Sequence, residues 1–223
     1  EAIARKNYID SVEKGVSGAD WYSQGGNKIL YLTGDNPSMA NKVAENFATT
    51  SSGTGVAPNT VFSIKGHNQY MAGMPIETGR FPTAMGKTIE EIYSTNKYTS
   101  GEKRTPFADQ IALGGGFYNK PAGQVDRAVH DIWDGRAWGY TNTDGTPISR
   151  GFSSSEHNWM DNQMNKVISS LNKNKVGGKA DWKPGNAQAA SWTGEKIKAG
   201  TVSPTNAAFN YAEAFPQNYA YQS

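Results

Sequence analysis

The sequence predicts an all-α protein, with a single loop-rich domain of about seven to nine helices over residues 1–200 and a C-terminal tail over 201–223. Apolar residues recur three or four positions apart in most segments, as they do along one face of a helix. No segment shows the sustained alternation that a half-buried strand requires. Only 36% of the 223 residues are hydrophobic and 25 are Gly, so long connections between short helices are expected.

The N-terminal half contains five predicted helices. The clearest start is Asp35-Asn36-Pro37, where Asp35 or Asn36 can cap the helix and Pro37 suits its first position. Met39, Val43 and Phe47 then follow at a spacing of four. The five helices are predicted over 2–13, 20–32, 37 to about 50, 58–71 and 83–94. Gly25 and Gly26 weaken the second of these predictions, and Pro58 and Asn59 open the fourth helix.

Four more helices are predicted in the C-terminal half. Thr105 can cap one that begins at Pro106 and ends at the glycines 114–116. Asp144-Gly145 is a strong turn signal. The remaining helices are predicted over 125–140, over 155–171 with one of residues 153–155 as its cap, and over 183–200.

The segment 125–140 is the most chemically dense part of the chain, with two Trp, three Asp, two Arg and one of the three His. Its apolar residues fall at helical spacing, which predicts an amphipathic helix whose polar arc holds His130, Asp131 and Asp134. Gly135 within this pattern indicates either a bend or a close approach of another segment.

Two interpretations of this segment remain open. In the first, it is a half-buried structural helix in which Arg136 pairs with Asp131 and Asp134. In the second, a functional site is built on it. His67 and His130 are expected to form hydrogen bonds rather than to bind a metal ion.

Composition excludes several classes of site. The absence of Cys rules out disulfides, thiolate metal sites and a Cys nucleophile. The net charge of +2 gives no overall attraction to nucleic acids or membranes. No apolar run approaches the length of a membrane span, no signal-peptide pattern opens the chain, and no cofactor or metal is expected. A Ser–His–Asp triad lacks its Gly-x-Ser-x-Gly elbow, and the glycines 114–116 lack the Lys-Ser or Lys-Thr of a phosphate loop.

Four pieces of the sequence resemble an uncharacterised family of small helical bacteriophage proteins. They are ATTSSGTGVAPNTVFSIK (48–65), SGEKRTPF (100–107), VHDIWDGRAWG (129–139) and NAQAASW (186–192). The resemblance implies a bacteriophage accessory or virion-associated protein without catalytic activity, found in the virion or the host cytoplasm. Its expected partners are other virion proteins or a second copy, contacted through the aromatic tail, together with DNA and without a membrane.

The second and third pieces also resemble the helix–hairpin–helix DNA glycosylases, which implies an alternative function as an N-glycosylase/lyase acting on extruded bases. Gly101-Glu102-Lys103 matches the Gly-x-Lys end of the hairpin, and Asp131 followed by Arg136 matches the essential Asp and the Arg five residues later. The chain lacks the Leu-Pro-Gly that opens the hairpin, has a longer spacing from Lys103 to Asp131, and has Ile132-Trp133 where those enzymes have Thr-His.

The glycosylase resemblance implies two sets of site residues. Lys103 would be the amine nucleophile and Asp131 the electrostatic partner. The DNA-binding residues would be Gly101, Lys103, Arg104, Trp133 and Arg136, with Trp133 or Trp138 stacking on the extruded base. A wider basic patch of Lys65, Arg80, Lys103, Arg104, Lys120 and Arg127 forms if the loops converge.

Overall fold

The computed structural model describes residues 1–121 and 126–201 and confirms the all-α prediction. Within these residues, the secondary structure is helical apart from one isolated antiparallel bridge between Thr141 and Pro147. The nine α-helices of the described residues are α1 (Ala2–Lys14), α2 (Trp21–Leu32), α3 (Pro37–Thr50), α4 (Val56–Met71), α5 (Pro82–Thr95), α6 (Arg104–Gly114), α7 (Ile132–Ala137), α8 (Ser154–Lys173) and α9 (Pro184–Lys198), with short 3-10 turns at Val16–Gly18 and Val176–Gly178.

Helix starts with strong local signals lie where the sequence predicts them. The Asn36 side chain accepts a hydrogen bond from the Met39 amide at 3.1 Å, and Pro37 is the first residue of α3. Ser153 and Glu156 form a reciprocal capping box at the start of α8. Both arrangements satisfy amide groups that have no acceptor within the helix.

Two other helix starts differ from the prediction. α4 begins at Val56 after Gly55, two residues before Pro58. α6 begins at Arg104 with Lys103 in the cap position and no side-chain cap bond. The Thr105 hydroxyl, which was expected to cap this helix, instead donates to the Thr99 carbonyl at 3.3 Å.

The prediction of one helix over 125–140 is wrong. Of residues 126–140, which the structure describes, only Ile132–Ala137 is helical, because Asp131 has an extended backbone and accepts hydrogen bonds from the amides of Trp133 and Asp134. Ala128 and Val129 precede it in non-helical chain and are nevertheless buried. Their burial comes from tertiary packing, which apolar spacing does not distinguish from a helical face.

The described residues divide into two compact units, with the boundary inside α2 between Tyr22 and Ser23. The first unit comprises residues 1–22 and 126–201 and contains α1, α7, α8 and α9. The second comprises residues 23–121 and contains the rest of α2 and α3 to α6. The predicted division into a helical domain and a tail at residue 200 stays a prediction, because residues 202–223 lie outside the described part of the chain.

In the first unit, α1 and α9 pack at very short range. A Cβ at Gly194 would lie 1.9 Å from the Ser11 carbonyl oxygen, and one at Gly15 would lie 2.0 Å from the Ala190 carbonyl oxygen. Gly135 in α7 likewise faces the Phe152 ring, 2.2 Å from where its Cβ would be. Gly135 is therefore explained by the close approach of Phe152, one of the two predicted reasons, and α7 packs closely against this residue.

In the second unit, α3 is the central helix and packs against α4, α5 and α6. Phe47 on α3 is almost completely buried, as are Ile89 on α5 and Ile111 on α6. Polar residues of α3 are buried too, including Glu45 and Asn46. No helix among residues 1–121 and 126–201 is long and apolar enough to cross a membrane.

Candidate functional site

The loop between α5 and α6, residues 96–103, holds the predicted DNA-binding residues of the second unit and is called here the α5–α6 turn. Asn96 ends α5 in the left-handed conformation, and Gly101 has a φ of +133° that side-chain-bearing residues rarely adopt. Lys103 then occupies the cap position of α6 and Arg104 its first residue. The turn thus places two cations at the positively polarised start of a helix.

A buried hydrogen bond holds this turn against α3, and a backbone hydrogen bond links the turn to the start of α6. The Thr99 amide donates to Glu45 Oε2 at 2.8 Å, and the Thr105 amide donates to the Gly101 carbonyl at 3.1 Å. Lys103 and Arg104 remain partly exposed, and within residues 1–121 and 126–201 neither forms an ion pair. The turn is therefore held by its backbone while its cationic side chains remain accessible.

Beneath the turn lies a buried ion cluster. Lys120 Nζ is 2.9 Å from Glu45 Oε1 and 2.5 Å from Asp109 Oδ1. Burial raises the pKa of Glu45, and Lys120 only partly opposes this. Burial alone lowers the pKa of Lys120, but Glu45 and Asp109 raise it overall. Lys120 is thus an internal counter-ion, and its predicted place in an exposed basic patch is wrong.

A polar cleft of about 270 Å³ lies beside the turn. Two cations, Lys42 and Lys97, line this cleft, and both already have partners. Lys42 Nζ donates to the Tyr93 carbonyl, and Lys97 pairs with Glu91. The cleft can therefore admit a small polar group but offers little positive charge. It is lined by Ser38, Asn41, Lys42, Glu45, Ile92, Asn96, Lys97, Tyr98 and Asn119.

In the first unit, the structure brings together the predicted residues Asp131, Trp133 and Arg136. The Asp131 carboxylate accepts the amides of Trp133 and Asp134 at 3.0 Å each, so it anchors the start of α7. The Arg136 guanidinium lies 4.3 Å from the Trp133 ring centre and donates to the Ile148 carbonyl.

Sequence reasoning missed Lys196, which lies at the same place. Its Nζ is 4.0 Å from the Trp133 ring centre and 5.4 Å from that of Trp192. Burial lowers the pKa of Lys196, Asp131 opposes that shift and Arg136 reinforces it. Trp192 and Lys196 are four residues apart, which puts them on one face of a helix. That spacing was the available signal, but nothing in the sequence connected it to Trp133.

The first unit also contains a buried polar network, which is centred on His130 and on Asp134 of α7. Asp134 is fully buried and accepts hydrogen bonds from Tyr8 at 2.6 Å and from the Trp138 indole at 3.2 Å. His130 contacts Asp134 Oδ2 through Nδ1 at 2.5 Å and Asp161 Oδ1 through Nε2 at 3.1 Å. Asp134 therefore belongs to the core, and the prediction that His130, Asp131 and Asp134 form the polar arc of one amphipathic helix is wrong.

The charge of this network follows from its contacts. Burial alone lowers the pKa of His130, but Asp134 and Asp161 raise it to about 9, so the ring is a cation at neutral pH and donates through both nitrogens. Arg127 adds two hydrogen bonds to Asp161 and is therefore committed to this network rather than to the predicted patch. Trp138 is only 2% exposed and stacks on Tyr8 at 4.1 Å, so it cannot stack on an extruded base.

The predicted site residues thus fall into two groups. Gly101, Lys103 and Arg104 lie together in the second unit, whereas Asp131 belongs to the first unit with Trp133 and Arg136. No group of three or more His, Asp or Glu side chains in the described ranges could hold a metal ion. Compared with known proteins, the chain matches no family model, no curated protein and no solved structure.

Proposed function

We propose that this is a bacteriophage accessory protein, associated with the virion and without catalytic activity, which contacts DNA through the α5–α6 turn. The observation that carries the DNA contact is the position of Lys103 and Arg104 at the start of α6, directly after the Gly101 turn. The bacteriophage assignment rests on the resemblance of the four sequence pieces.

The contact is to the DNA backbone rather than to the bases. Helix N-termini and nearby backbone amides bind phosphate oxygens, and flanking Lys and Arg side chains add charge. The first turn of α6 carries no acidic residue, and the acid nearest to it in sequence is the exposed Glu102 of the preceding turn. A single short turn with two cations does not present the base-reading side chains of a groove-binding helix. Binding is therefore expected to be weak and independent of DNA sequence.

A matched pair of charge variants tests this proposal. Lys103→Gln with Arg104→Gln removes two charges from the turn, whereas Lys65→Gln with Lys87→Gln removes two exposed charges from α4 and α5 of the same unit. In fluorescence anisotropy titrations at low salt, the turn variant should bind a labelled duplex roughly ten-fold more weakly, because lost phosphate contacts release fewer counterions. The control should bind nearly as wild type, although its Lys65 belongs to the wider patch predicted from the sequence; equal losses in both variants would mean that this patch or the net charge, not the turn, determines binding.

Association with the virion or with a second copy is assigned to the aromatic tail. This tail holds Phe209, Tyr211, Phe215, Tyr219 and Tyr221 and lies outside the described residues. Deleting residues 209–223 should abolish self-association in sedimentation experiments and leave helical circular dichroism intact. Unchanged assembly by the truncated chain would remove the tail from the proposal.

The enzymatic alternative has its own assay. An N-glycosylase/lyase with Lys103 as nucleophile would be trapped covalently by borohydride on a duplex bearing a damaged base or an abasic site. We expect no adduct at Lys103. An adduct that disappears in Lys103→Ala would establish the enzyme and overturn the non-catalytic proposal.

A further inference from the structure

We propose that Lys196 is a nucleophilic amine that forms imines with flat, anionic aldehydes, a reactivity beyond the proposed DNA contact. The proposal rests on the surroundings of its side chain in the first unit. Lys196 Nζ lies against the rings of Trp133 and Trp192, at 4.0 and 5.4 Å from their centres. Among residues 1–121 and 126–201 the Lys196 side-chain amine has no hydrogen bond or ion pair, although the residue is partly exposed to solvent.

The neighbouring charges decide which group at this place loses its proton. Arg136 and Lys196 both lie over the Trp133 ring, so each cation raises the energy of the other. A guanidinium cannot release its proton in proteins, whereas a lysine can. Attraction to the Trp133 ring favours the protonated form of Lys196. This attraction is divided between two cations, because Arg136 contacts the same ring. The Asp131 carboxylate, whose Oδ1 accepts the amides of Trp133 and Asp134, also favours the ammonium.

Burial and the Arg136 charge therefore lower the pKa of Lys196, despite the opposing effect of Asp131. Lys198, two residues further along α9, differs because its amine donates to Ser11 and to Glu195. A desolvated lysine beside another cation is the arrangement in which lysine acts as an amine nucleophile near neutral pH.

The reaction is a condensation without net oxidation. The neutral amine of Lys196 forms a bond to the carbonyl carbon, and the carbonyl oxygen takes up the proton that the nitrogen loses, giving a carbinolamine. Loss of water then leaves a carbon–nitrogen double bond. The indoles of Trp133 and Trp192 favour a flat aldehyde, and the Arg136 guanidinium favours one that carries an anionic group.

Pyridoxal 5′-phosphate is a suitable probe because it is a flat aldehyde with a phosphate group. The full chain is incubated with a limiting amount at pH 7.5 and reduced with borohydride, whose hydride converts the imine to a stable secondary amine. Peptide mass spectrometry then gives a rate for each lysine, with the exposed Lys65 and Lys87 as internal references. Lys196 should react several-fold faster than either reference, because its lowered pKa gives it a larger neutral fraction at pH 7.5.

A charge variant separates nucleophilicity from simple exposure. Labelled with benzaldehyde, a flat aldehyde without an anionic group, Arg136→Gln should react at Lys196 about five-fold more slowly than wild type at pH 7.5, the effect of one nearby charge on the amine in a water-like dielectric. Lys196→Arg should abolish the fast labelling and leave the reference lysines unchanged. If Lys196 in the wild-type protein reacts no faster than Lys65 and Lys87, or if Arg136→Gln folds and reacts with benzaldehyde as fast as wild type, the proposal is overturned.

Discussion

The two units use similar charged side chains in opposite ways. In the first, the charges of His130, Asp134 and Asp161 are satisfied by one another and by Arg127, Tyr8 and Trp138. In the second, Lys103 and Arg104 remain outside the buried ion cluster that supports their turn. A dense run of charged residues in the sequence is therefore weak grounds for a site, because the partners of each charge decide whether it is available to a ligand.

The largest effect should come from Asp134→Asn. This change keeps the side-chain shape but leaves the buried His130 cation without its closest counter-ion. Breaking a buried ion pair typically costs about 3–5 kcal/mol, and we expect a loss near the middle of that range in denaturant unfolding. Asp10→Asn, which removes the exposed Lys6–Asp10 pair of α1, is the control and should leave the unfolding midpoint unchanged. Equal effects of the two changes would contradict a core role for Asp134.

The ion cluster of the second unit gives the next largest effect. Lys120→Met leaves the buried Glu45 and Asp109 carboxylates side by side, and the free energy of unfolding at pH 7 should fall by about 3 kcal/mol. Part of that loss should be regained at pH 5, because a carboxylate beside another takes up a proton readily. A loss that does not depend on pH would show that packing, rather than charge, is what Lys120 supplies.

Local signals were enough to predict much of this fold. Asn36-Pro37 and Ser153 with Glu156 fixed the starts of α3 and α8, because capping bonds lie within four residues of sequence. The failed helix over 125–140 shows where such reasoning stops. Ala128 and Val129 are buried through contacts with distant segments, and Asp131 starts a helix only six residues long.

The same distinction holds for the candidate sites. The sequence selected Asp131, Trp133 and Arg136, which do lie together, but it missed Lys196, which reaches them from α9. It also assigned Lys120 and Arg127 to a surface patch. The sequence does not reveal that Lys120 pairs with Glu45 and Asp109, or that Arg127 pairs with Asp161. Long-range pairing of this kind depends on the tertiary fold.

Two of the buried histidines, His130 in the first unit and His67 in the second, should give opposite pH dependences. The folded-state pKa of His130 is raised to about 9 from an ordinary value near 6.5, so its contribution is complete below pH 6.5 and is lost as pH rises through 9. This loss should be about 3 kcal/mol. Burial lowers the pKa of His67 to about 4, so its contribution is lost as pH falls from 6.5 towards 4.

Unfolding curves collected from pH 4 to pH 10 measure both contributions. His130→Gln should remove the decline in stability between pH 6.5 and 9 and leave the acid side unchanged, whereas His67→Gln should do the reverse. A decline on the alkaline side that persists without His130 would mean that another group carries it.

The smallest effect on stability is expected at the α5–α6 turn. Lys103→Gln with Arg104→Gln removes two partly exposed charges that take part in no ion pair of the described residues, so the unfolding midpoint should match that of wild type within error. A clear destabilisation would place these side chains among the structural charges and would weaken the contrast between the units.

The salt dependence of DNA binding tests the proposed contact most directly. Plotted as the logarithm of the binding constant against the logarithm of salt concentration, the slope reports the number of phosphates neutralised, about 0.9 for each on duplex DNA. The turn variant should therefore have a slope shallower than wild type by about 1.8, while Lys65→Gln with Lys87→Gln keeps the wild-type slope. Identical slopes for wild type and the turn variant would show that Lys103 and Arg104 do not touch the DNA backbone.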